Sequence, residues 1–456
     1  MMRTLAHFAE ACGGRLQGED RVYSGVCTDT RTLAAGELFV ALRGPCFNGN
    51  EFVAAAHAAG AAGAVVDTPQ STPLSQVIVA ESLAALARAA QHWRRRFNIP
   101  LIAVAGSNGK TSTKEMTAAI LAQAGSCLAT RGNLNNHIGV PLTLLRLAPE
   151  HRFAVIEMGA NQIGDVASLV QLAAPSIGLI TNAGAEHLQG FGSLEAVARA
   201  EGEVIAALPA SATAVINADD PYAPLWRRIT RAEVVGFGMG EAAAWRALDV
   251  HCDVDARGFN TRFTLVTPQG RASVVLALAG HHNVMNALAA AAAAAAAGAT
   301  LPNIVAGLGA VRAVPGRLQF KRARSGAWLI DDSYNANPSS VRAAIEVLAQ
   351  LNGKKWLVLG DMAELGDFAQ SSHAEIGAYA RAHGIERLFA TGALSVGAVA
   401  SFGAGGQWFP DAGALAAALL ASADAGVRLL VKGSRVNRLE RVVEALTAAP
   451  VRARVE

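Results

Sequence analysis

The chain has 456 residues, of which 52% are hydrophobic and 16% are charged, a composition that suits buried cores and excludes a disordered chain. The formal net charge is only +3, which gives no support for a nucleic-acid-binding protein. The length favours about three domains. The five cysteines stand singly and the first residues lack the apolar core of a signal peptide, so we expect a cytoplasmic protein with reduced thiols.

Residues 1–98 alternate short strand and helix patterns, which predict a small α/β domain. The predicted strands are Leu38–Leu42, Ala64–Val66 and Val77–Val79. Upstream of them, Thr28, Asp29 and Arg31 combine a hydroxyl, a carboxylate and a fixed cation, a set that suits a phosphorylated or sugar ligand. A polar turn with an internal Asp29–Arg31 ion pair fits these residues equally well, and the sequence does not decide between the two.

The rest of the chain is organised around a nucleotide-phosphate motif. The apolar run Leu101–Ala105 predicts a buried parallel strand, and the glycine-bounded turn Gly106–Gly109 leads into a predicted helix that stops at Gly125. Glycines let backbone N–H groups approach phosphates, and the N-terminus of a helix favours anions. In such a site Lys110 contacts the outer phosphates and the hydroxyl of Thr111 holds magnesium.

This loop is shorter than the common G-x-x-x-x-G-K-[ST] motif, which would require glycine where Val104 stands. A Gly-Lys-Thr tripeptide recurs by chance, so its spacing alone is moderate evidence. The strand before the loop and the helix after it favour a phosphate site over an ordinary glycine turn.

Residues 99–314 repeat the strand–helix alternation, which predicts a doubly wound, mostly parallel sheet. Its further strands are expected at Phe153–Met158, Ile177–Thr181, Ala214–Asn217 and Val234–Phe237. Ligands of such sheets bind at the carboxyl ends of the strands, where Glu157 could reach a magnesium ion held beside Lys110. His187, beyond the next strand, fits a cation ligand and a merely capping or polar residue equally well.

Alternation of apolar and polar residues over 245–279 predicts an antiparallel extension of this sheet. The segment Ala287–Ala297 is almost all alanine, which favours a close-packed helix over a membrane span, so we expect no membrane insertion. Beyond it, a second strand–helix series predicts a Rossmann-like domain with polar loops at one edge. Its predicted strands are Trp328–Asp332, Trp356–Leu359, Arg387–Ala390 and Val427–Val431.

Taken in order, the polar motifs resemble those of the Mur ligases. The stretch Gly106–Glu115 resembles the phosphate loop of the Mur ligases and folylpolyglutamate synthases, which accounts for the missing early glycine. The further stretches that carry the resemblance are Thr28–Arg31, Leu38–Gly44, Gly132–Leu145, Ile156–Ala160, Asn182–His187, Gly280–Asn286, Asp331–Pro338, Leu359–Gly366 and Lys432–Arg435. The resemblance covers all three predicted domains.

The resemblance implies an ATP-dependent amide ligase of peptidoglycan precursor synthesis. Such an enzyme joins D-alanyl-D-alanine to the terminal carboxylate of UDP-N-acetylmuramoyl-tripeptide through an acyl phosphate, with ATP and Mg²⁺ as cofactors. It implies a domain of residues 1–98 that binds the UDP substrate, an ATP-binding domain of residues 99–314 and a C-terminal ligase domain of residues 315–456. We expect a monomer without a nucleic-acid partner, and the third residue of the tripeptide, diaminopimelate or lysine, stays undecided.

The same resemblance assigns roles to individual residues. The implied catalytic residues are Lys110, Glu157 and His187. The implied ATP site consists of Gly106, Ser107, Asn108, Gly109, Lys110, Thr111, Ser112, Asn286, Arg317 and Asp332. The implied substrate residues are Thr28, Asp29, Arg31, Asn135, Asn136, Asn335 and Asn337. The implied cation ligands are Thr111, Glu157, His187 and Glu201.

Glu201 departs from the family pattern, which usually has a carbamylated lysine at this position. Glutamate supplies a carboxylate without carbon dioxide, although on a shorter stem. We therefore expect Glu201 to bind the second cation directly or through water. The alternative is an exposed helix glutamate, with the cation held by His187 and substrate.

Two other classes of function are weighed against this interpretation. Another Mur-type ligase or a folylpolyglutamate-type ligase fits the phosphate loop, but the stretches Gly132–Leu145 and Asp331–Pro338 argue against both. The region ahead of the phosphate loop argues further against the folate enzyme. A nucleotide switch acting on nucleic acid is disfavoured by the weak net charge, by the shortened loop and by the lack of a basic–aromatic stripe.

Overall fold

The computed structural model of the chain describes residues 3–184, 191–255 and 258–448. Over these ranges the strands form a five-stranded, a nine-stranded and a six-stranded sheet, together with a two-stranded hairpin. Helices pack on these sheets, so the predicted α/β class is confirmed. The domain boundaries at 98/99 and 314/315 stay predictions.

The first sheet has the strand order β1-β7-β6-β3-β2 and is parallel except for its β1–β7 pair. The elements of this region are α1 (Leu5–Cys12), β1 (Arg15–Gln17), β2 (Val26–Cys27), β3 (Leu38–Val40), β4 (Arg43–Gly44), β5 (Phe47–Asn48), α2 (Val53–Ala58), β6 (Gly63–Val66), β7 (Gln76–Ile78) and α3 (Ser82–Arg94). The predicted strand Leu38–Leu42 is shorter than expected and ends at Val40.

The second sheet has the order β16-β15-β14-β13-β12-β11-β8-β10-β9, and its strands β8 to β13 are parallel. Its elements up to β13 are β8 (Leu101–Ala105), α4 (Lys110–Ala122), β9 (Cys127–Ala129), α5 (Gly139–Leu144), β10 (Phe153–Glu157), α6 (Asp165–Ala173), β11 (Ile177–Ile180), α7 (Leu194–Ala206), β12 (Thr213–Asn217), α8 (Ala223–Ile229) and β13 (Glu233–Gly238). The edge strand β9 was not predicted, because it offers only three residues of apolar pattern.

Strand β8 lies between β10 and β11 and explains the continuous apolar run seen in the sequence. Leu101, Ala103 and Ala105 belong to one buried apolar cluster, and Ile102 and Val104 belong to another. Successive side chains of a strand point to opposite faces of the sheet, so both faces of β8 are covered. The carboxyl ends of β8, β10 and β11 therefore meet where the strand order changes direction, which is where ligands bind in open α/β sheets.

An antiparallel arm extends this sheet, as predicted, and two helices follow it. The elements are β14 (Trp245–Asp255), β15 (Gly258–Thr267), β16 (Gly270–Leu276), α9 (His281–Ala296) and α10 (Leu301–Ala310). The alanine run of α9 is buried in the same apolar cluster as Met116 and Ile120 of α4. Small side chains let α9 lie close to α4 and the sheet. None of the described helices is both long and apolar enough to cross a membrane.

The third sheet has the order β17-β18-β22-β19-β20-β21 and is parallel except for the β17–β18 pair. The elements are β17 (Gln319–Arg322), β18 (Trp328–Asp332), α11 (Pro338–Ala349), β19 (Lys354–Leu359), α12 (Ala369–Ala382), β20 (Arg387–Thr391), α13 (Ser395–Phe402), β21 (Gly406–Phe409), α14 (Ala412–Ser422), β22 (Val427–Lys432) and α15 (Glu440–Thr447). The outer strands β17 and β21 were not predicted, because their residues are largely exposed or half-buried and lack an apolar run.

Candidate active site

The phosphate loop between β8 and α4 needs glycine at both of its bounding positions. Gly106 and Gly109 have φ angles of +120° and +82°, a region that other residues adopt only at a cost. A Cβ atom at Gly106 would lie 2.2 Å from Oγ1 of Thr181, and one at Gly109 would lie 2.2 Å from Oδ1 of Asn286. The close packing against these two polar side chains fixes the path of the loop.

Residues that follow β11 hold the loop from the other side. The backbone N–H of Ser107 donates to the carbonyl of Asn182 at 2.9 Å, and the N–H of Asn108 donates to Oδ1 of Asn182 at 3.0 Å. The Thr181 hydroxyl donates to the carbonyl of Asn108 at 2.7 Å. The loop is therefore held in one conformation by the neighbouring strand end.

Lys110 and Thr111 begin helix α4 and lie at the mouth of the loop. The ammonium of Lys110 donates to the carbonyls of Gly106 and Ser107, the second at 3.2 Å. The Thr111 hydroxyl accepts a hydrogen bond from Nη2 of Arg317 at 3.0 Å. Arg317 thus reaches the phosphate loop from the segment that joins the second and third sheets.

Glu157 ends strand β10, and its side chain is only 2% exposed. Its Oε1 accepts a hydrogen bond from Nδ2 of Asn135 at 2.8 Å. Among the residues that the structure describes, none donates to the buried Oε2. A buried carboxylate oxygen without a donor is costly, so the chemistry of this position fits a ligand such as a divalent cation.

Asn135 and Asn136 have different surroundings, although both were predicted to contact substrate. The side chain of Asn135 fixes Glu157, while Oδ1 of Asn136 accepts the N–H groups of Ile138 and Gly139 at 3.1 and 2.9 Å. Asn136 therefore satisfies backbone donors at the start of α5. Asn286 lies on the other side of the loop, where its Oδ1 accepts the Thr113 hydroxyl at 3.3 Å.

A buried ion pair joins the ends of strands β18 and β22. Nζ of Lys432 lies 2.5 Å from Oδ2 of Asp332 and also donates to the carbonyl of Asn335 at 3.1 Å. Burial raises the pKa of Asp332, although Lys432 opposes this shift. The backbone N–H of Leu318 donates to Oδ1 of Asp332 at 3.1 Å, which ties the segment after Arg317 to the third sheet.

Polar side chains also join the phosphate loop to helix α11. Nδ2 of Asn337 donates to Oδ1 of Asn108 at 2.8 Å, and Nδ2 of Asn108 donates to the Ser339 hydroxyl at 3.1 Å. The Oδ1 of Asn337 caps α11 by accepting the N–H of Ser340 at 2.8 Å. The third sheet therefore lies directly over the phosphate loop.

These residues surround one cavity of about 650 Å³ between the second and third sheets. The predicted site residues that line it are Ser107, Asn108, Gly109, Lys110, Thr111, Ser112, Asn135, Asn136, Glu157, Asn286, Arg317, Asp332, Asn335 and Asn337. They come from the carboxyl ends of strands in two sheets, together with helix α9. The cavity thus combines a phosphate loop, an unsatisfied carboxylate oxygen and several cationic side chains.

Five predicted residues that the structure describes do not line this cavity, and one of them, Gly106, is buried within the phosphate loop itself. Thr28, Asp29 and Arg31 are in the first sheet's region and do not line this cavity, and the Arg31 guanidinium is bonded to the Asp29 carboxylate at 2.6 Å. This hydrogen-bonded pair lowers the pKa of Asp29 to about 2. The predicted ion pair between Asp29 and Arg31 is therefore present. A role of these residues in ligand binding stays a prediction.

Glu201 also does not line the cavity, and the exposed position that the alternative gave it is wrong, while the cation ligands stay a prediction. Its side chain is 2% exposed and its Oε2 accepts the backbone N–H of Gly106 at 2.6 Å. Buried apolar residues on both sides of it in α7 turn this face of the helix toward the sheet. His187 lies outside the described residues, so its predicted role stays a prediction.

Among the cavity-wall residues to which sequence reasoning assigned no individual role are Tyr334, His282 and Lys432. The ring of Tyr334 stacks under Arg317, with the guanidinium carbon 4.4 Å from the ring centroid. Burial and the charge of Lys432, with a smaller effect of His281, lower the pKa of His282 to about 4. Tyr334 and Lys432 lie at the carboxyl ends of strands, the signal that located Glu157, and all three residues belong to stretches that carry the family resemblance.

Comparison with known proteins assigns this fold and site to a class. The sequence profile of the Mur ligase middle domain matches residues 104–294, and that of the Mur ligase glutamate ligase domain matches residues 316–435. The chain belongs to the Mur ligase family.

The similarity to individual relatives extends over nearly the whole chain. The chain is 44% identical to UDP-N-acetylmuramoyl-tripeptide–D-alanyl-D-alanine ligase of Escherichia coli strain K12, over 97% of this chain and 98% of the relative. It is similar to the crystal structure of MurF from Acinetobacter baumannii with a TM-score of 0.91 and 33% identity, covering 98% and 99% of the two chains. MurF of Thermotoga maritima, solved with ADP, gives a TM-score of 0.82 at 27% identity, covering 92% and 96%.

Proposed function

We propose that this chain is an ATP-dependent amide ligase that joins D-alanyl-D-alanine to UDP-N-acetylmuramoyl-tripeptide in peptidoglycan precursor synthesis. The observation that carries the proposal is the buried Oε2 of Glu157, to which no described residue donates, in the same cavity as the phosphate loop. The names of the relatives supply the two substrates, and the ADP complex of the Thermotoga protein supports the nucleotide.

The reaction proceeds in two steps. The terminal carboxylate oxygen of the tripeptide attacks the γ-phosphorus of ATP, which gives an acyl phosphate and ADP. The amine of D-alanyl-D-alanine then attacks the acyl carbon, loses a proton and expels inorganic phosphate, so that an amide bond forms. Phosphoryl transfer between two anions needs positioning and positive charge more than covalent chemistry by the protein.

The residues of the cavity suit these requirements. Lys110 and the backbone N–H groups of the phosphate loop would hold the outer phosphates of ATP. Mg²⁺ would neutralise charge that develops during transfer, and Thr111, Glu157 and His187 are the proposed residues that hold it. Mg²⁺ is commonly held by one or two carboxylates together with phosphate oxygens, which suits Oε2 of Glu157, to which no described residue donates. The binding of a second cation by Glu201 stays a prediction from the sequence, and the hydrogen bond of its Oε2 to the N–H of Gly106 favours another role.

The remaining roles are those that the family resemblance implies. Asn286 is proposed to contact the adenine side, while Arg317, from the segment that joins the second and third sheets, and Asp332, from the end of β18, are proposed to close the nucleotide site. Asn135, Asn136, Asn335 and Asn337 are proposed to face the peptide substrates, and Thr28, Asp29 and Arg31 the uridine diphosphate end. The domain ranges 1–98, 99–314 and 315–456, a monomeric state and a cytoplasmic location belong to the same proposal.

The proposal is tested by measuring phosphate release with ATP, Mg²⁺, UDP-N-acetylmuramoyl-tripeptide and D-alanyl-D-alanine, omitting one component at a time. We expect steady release only in the complete mixture, because each step needs its own acceptor. Running the reaction with the diaminopimelate and lysine forms of the tripeptide identifies the preferred substrate. Phosphate release that is indifferent to both peptides would overturn the proposal.

A further inference from the structure

Glu201 occupies an unusual place for an acidic side chain, because it lies against the loop that is to bind anions. Its Oε2 accepts the backbone N–H of Gly106 at 2.6 Å, and its Oε1 is 4.0 Å from Nζ of Lys110. The carboxylate is 2% exposed and does not line the cavity, whereas the Lys110 side chain is 15% exposed and does. A negative charge is thus buried directly behind the phosphate loop.

We infer that Glu201 is a positioning residue that holds Gly106 and Lys110 through these contacts and thereby weakens the binding of nucleotide phosphates. Lys110 is bonded to carbonyls of the loop and attracted to Glu201. A phosphate that takes over the ammonium must compete with this carboxylate. The like charge of Glu201 also opposes the phosphate itself, and such interactions are strong where water is excluded.

This role differs in its consequences from binding a cation. A cation ligand strengthens nucleotide binding through the metal, so removing its charge weakens binding in the presence of Mg²⁺. A carboxylate that competes for Lys110 has the opposite effect, because removing its charge strengthens binding even without metal. The inference rests on the proposed function only in taking a nucleotide phosphate as the ligand of the loop.

The test compares ADP binding by Glu201→Gln and the parent chain, using calorimetry first in EDTA and then with Mg²⁺. Glutamine can still accept the N–H of Gly106, so the substitution removes the charge and keeps the hydrogen bond. We expect ADP to bind roughly five- to twentyfold more tightly in EDTA, a typical size for coupling between two interactions. The additional gain on adding Mg²⁺ should be the same in both proteins.

Glu203→Gln is the matched control. Glu203 lies on the same helix and also accepts backbone N–H groups, those of Gly164 and Ala167 at 2.7 and 2.9 Å. It does not line the cavity, so its substitution should leave ADP affinity unchanged. Unchanged or weaker binding by Glu201→Gln in EDTA, or loss of only the Mg²⁺-dependent gain, would overturn the inference.

A second measurement needs no variant and covers the case in which Glu201→Gln does not fold. In a structure of the unmodified chain with ADP and Mg²⁺, we expect Glu201 to remain on the N–H of Gly106 while Nζ of Lys110 moves to a phosphate oxygen. A Glu201 oxygen at about 2.1 Å from the metal, the distance of a direct Mg²⁺ ligand, would contradict the inference. Failure of the parent chain to bind ADP at all would instead count against the proposed function.

Discussion

The buried carboxylate of Glu157 makes the folded chain less stable than a fully hydrogen-bonded side chain would. Its Oε1 is bonded to Asn135, but none of the described residues donates to its buried Oε2. Leaving such an oxygen unsatisfied costs about 1–3 kcal/mol or more for a charged group. A position that retains this cost is a natural candidate for a ligand site.

We predict that Glu157→Gln separates stability from activity. Glutamine keeps an acceptor for Asn135 but carries no charge, so ligase activity should fall by about 100-fold or more through the loss of a charge-stabilising group. The free energy of unfolding without ligands should be unchanged or higher, because a buried charge is removed. Chemical denaturation and phosphate release measure the two quantities, and Glu203→Gln again serves as the control. Parental activity at limiting Mg²⁺ would contradict this prediction.

At the scale of elements, the phosphate loop depends on how closely it packs against helix α9. A Cβ at Gly109 would lie 2.2 Å from Oδ1 of the buried Asn286, which is itself bonded to Thr113. Gly164, at the start of α6, has a similar φ of +97° but nothing within 4 Å of a Cβ. Both positions therefore require a backbone conformation that favours glycine, but only Gly109 also lacks space for a Cβ atom.

Substitution by alanine distinguishes these requirements. Gly164→Ala should cost roughly 1–2 kcal/mol of unfolding free energy through backbone strain alone. Gly109→Ala should cost more, and should abolish ADP binding, because displacing the buried Asn286 would break its hydrogen bonds to Thr113 and Asn283. Denaturant unfolding and ADP calorimetry measure both effects. Equal destabilisation of the two variants, with ADP binding retained, would show that the loop tolerates the extra atom.

Helix α10 packs against α4 through a glycine. A Cβ at Gly307 would lie 2.4 Å from Cα of Ile120, whereas the nearest atom to one at Gly309 is the Val275 carbonyl at 3.8 Å. Gly307→Ala should therefore destabilise the fold by about 1–3 kcal/mol through overpacking. Gly309→Ala on the same helix should be neutral or stabilise the fold by up to about 1 kcal/mol, because alanine favours helix. Thermal and denaturant unfolding of both variants test the difference, and similar stabilities would contradict it.

At the scale of the whole molecule, the second and third sheets meet around the cavity and alter one another's chemistry. Burial, together with the charge of Lys432 from the third sheet, lowers the pKa of His282, at the start of α9, from 6.5 to about 4. The hydrogen bonds of Asn108 to Asn337 and Ser339 and of Arg317 to Thr111 hold the same interface together. Protonation of His282 would add its positive charge to that of Lys432 at this interface.

The sign of the pH dependence follows from this shift. Between pH 6.5 and about 4 the unfolded chain binds a proton at His282 that the folded chain does not, so the unfolding free energy falls as the pH is lowered through this range. We predict that His282→Asn makes this decline shallower. The exposed His92 in α3 provides the control variant His92→Asn, which should decline as the parent does. Denaturant unfolding at several pH values measures the slopes, and identical slopes for His282→Asn and the parent would contradict the prediction.

Much of the second and third sheets was predictable because inner parallel strands such as β8 and β18 are largely buried. The apolar runs Leu101–Ala105 and Trp328–Ile330 lie within strands β8 and β18. The outer strands β9, β17 and β21 escaped detection, since short or partly exposed strands carry little hydrophobic pattern. The carboxyl ends of parallel strands share one edge of a sheet. Polar residues at the ends of apolar runs, such as Glu157, therefore lie together in the cavity wall at that edge.

The sequence by itself determined the family, the α/β class and the position of the phosphate loop, because these depend on local pattern and on motifs that are read in order. Only the tertiary structure decided the surroundings of each polar group. It buried Glu201 behind the loop and brought Asn337 and Arg317 onto a loop about 200 residues away along the chain. Burial and charge at a residue depend on what other segments place around it, and sequence spacing does not contain that information.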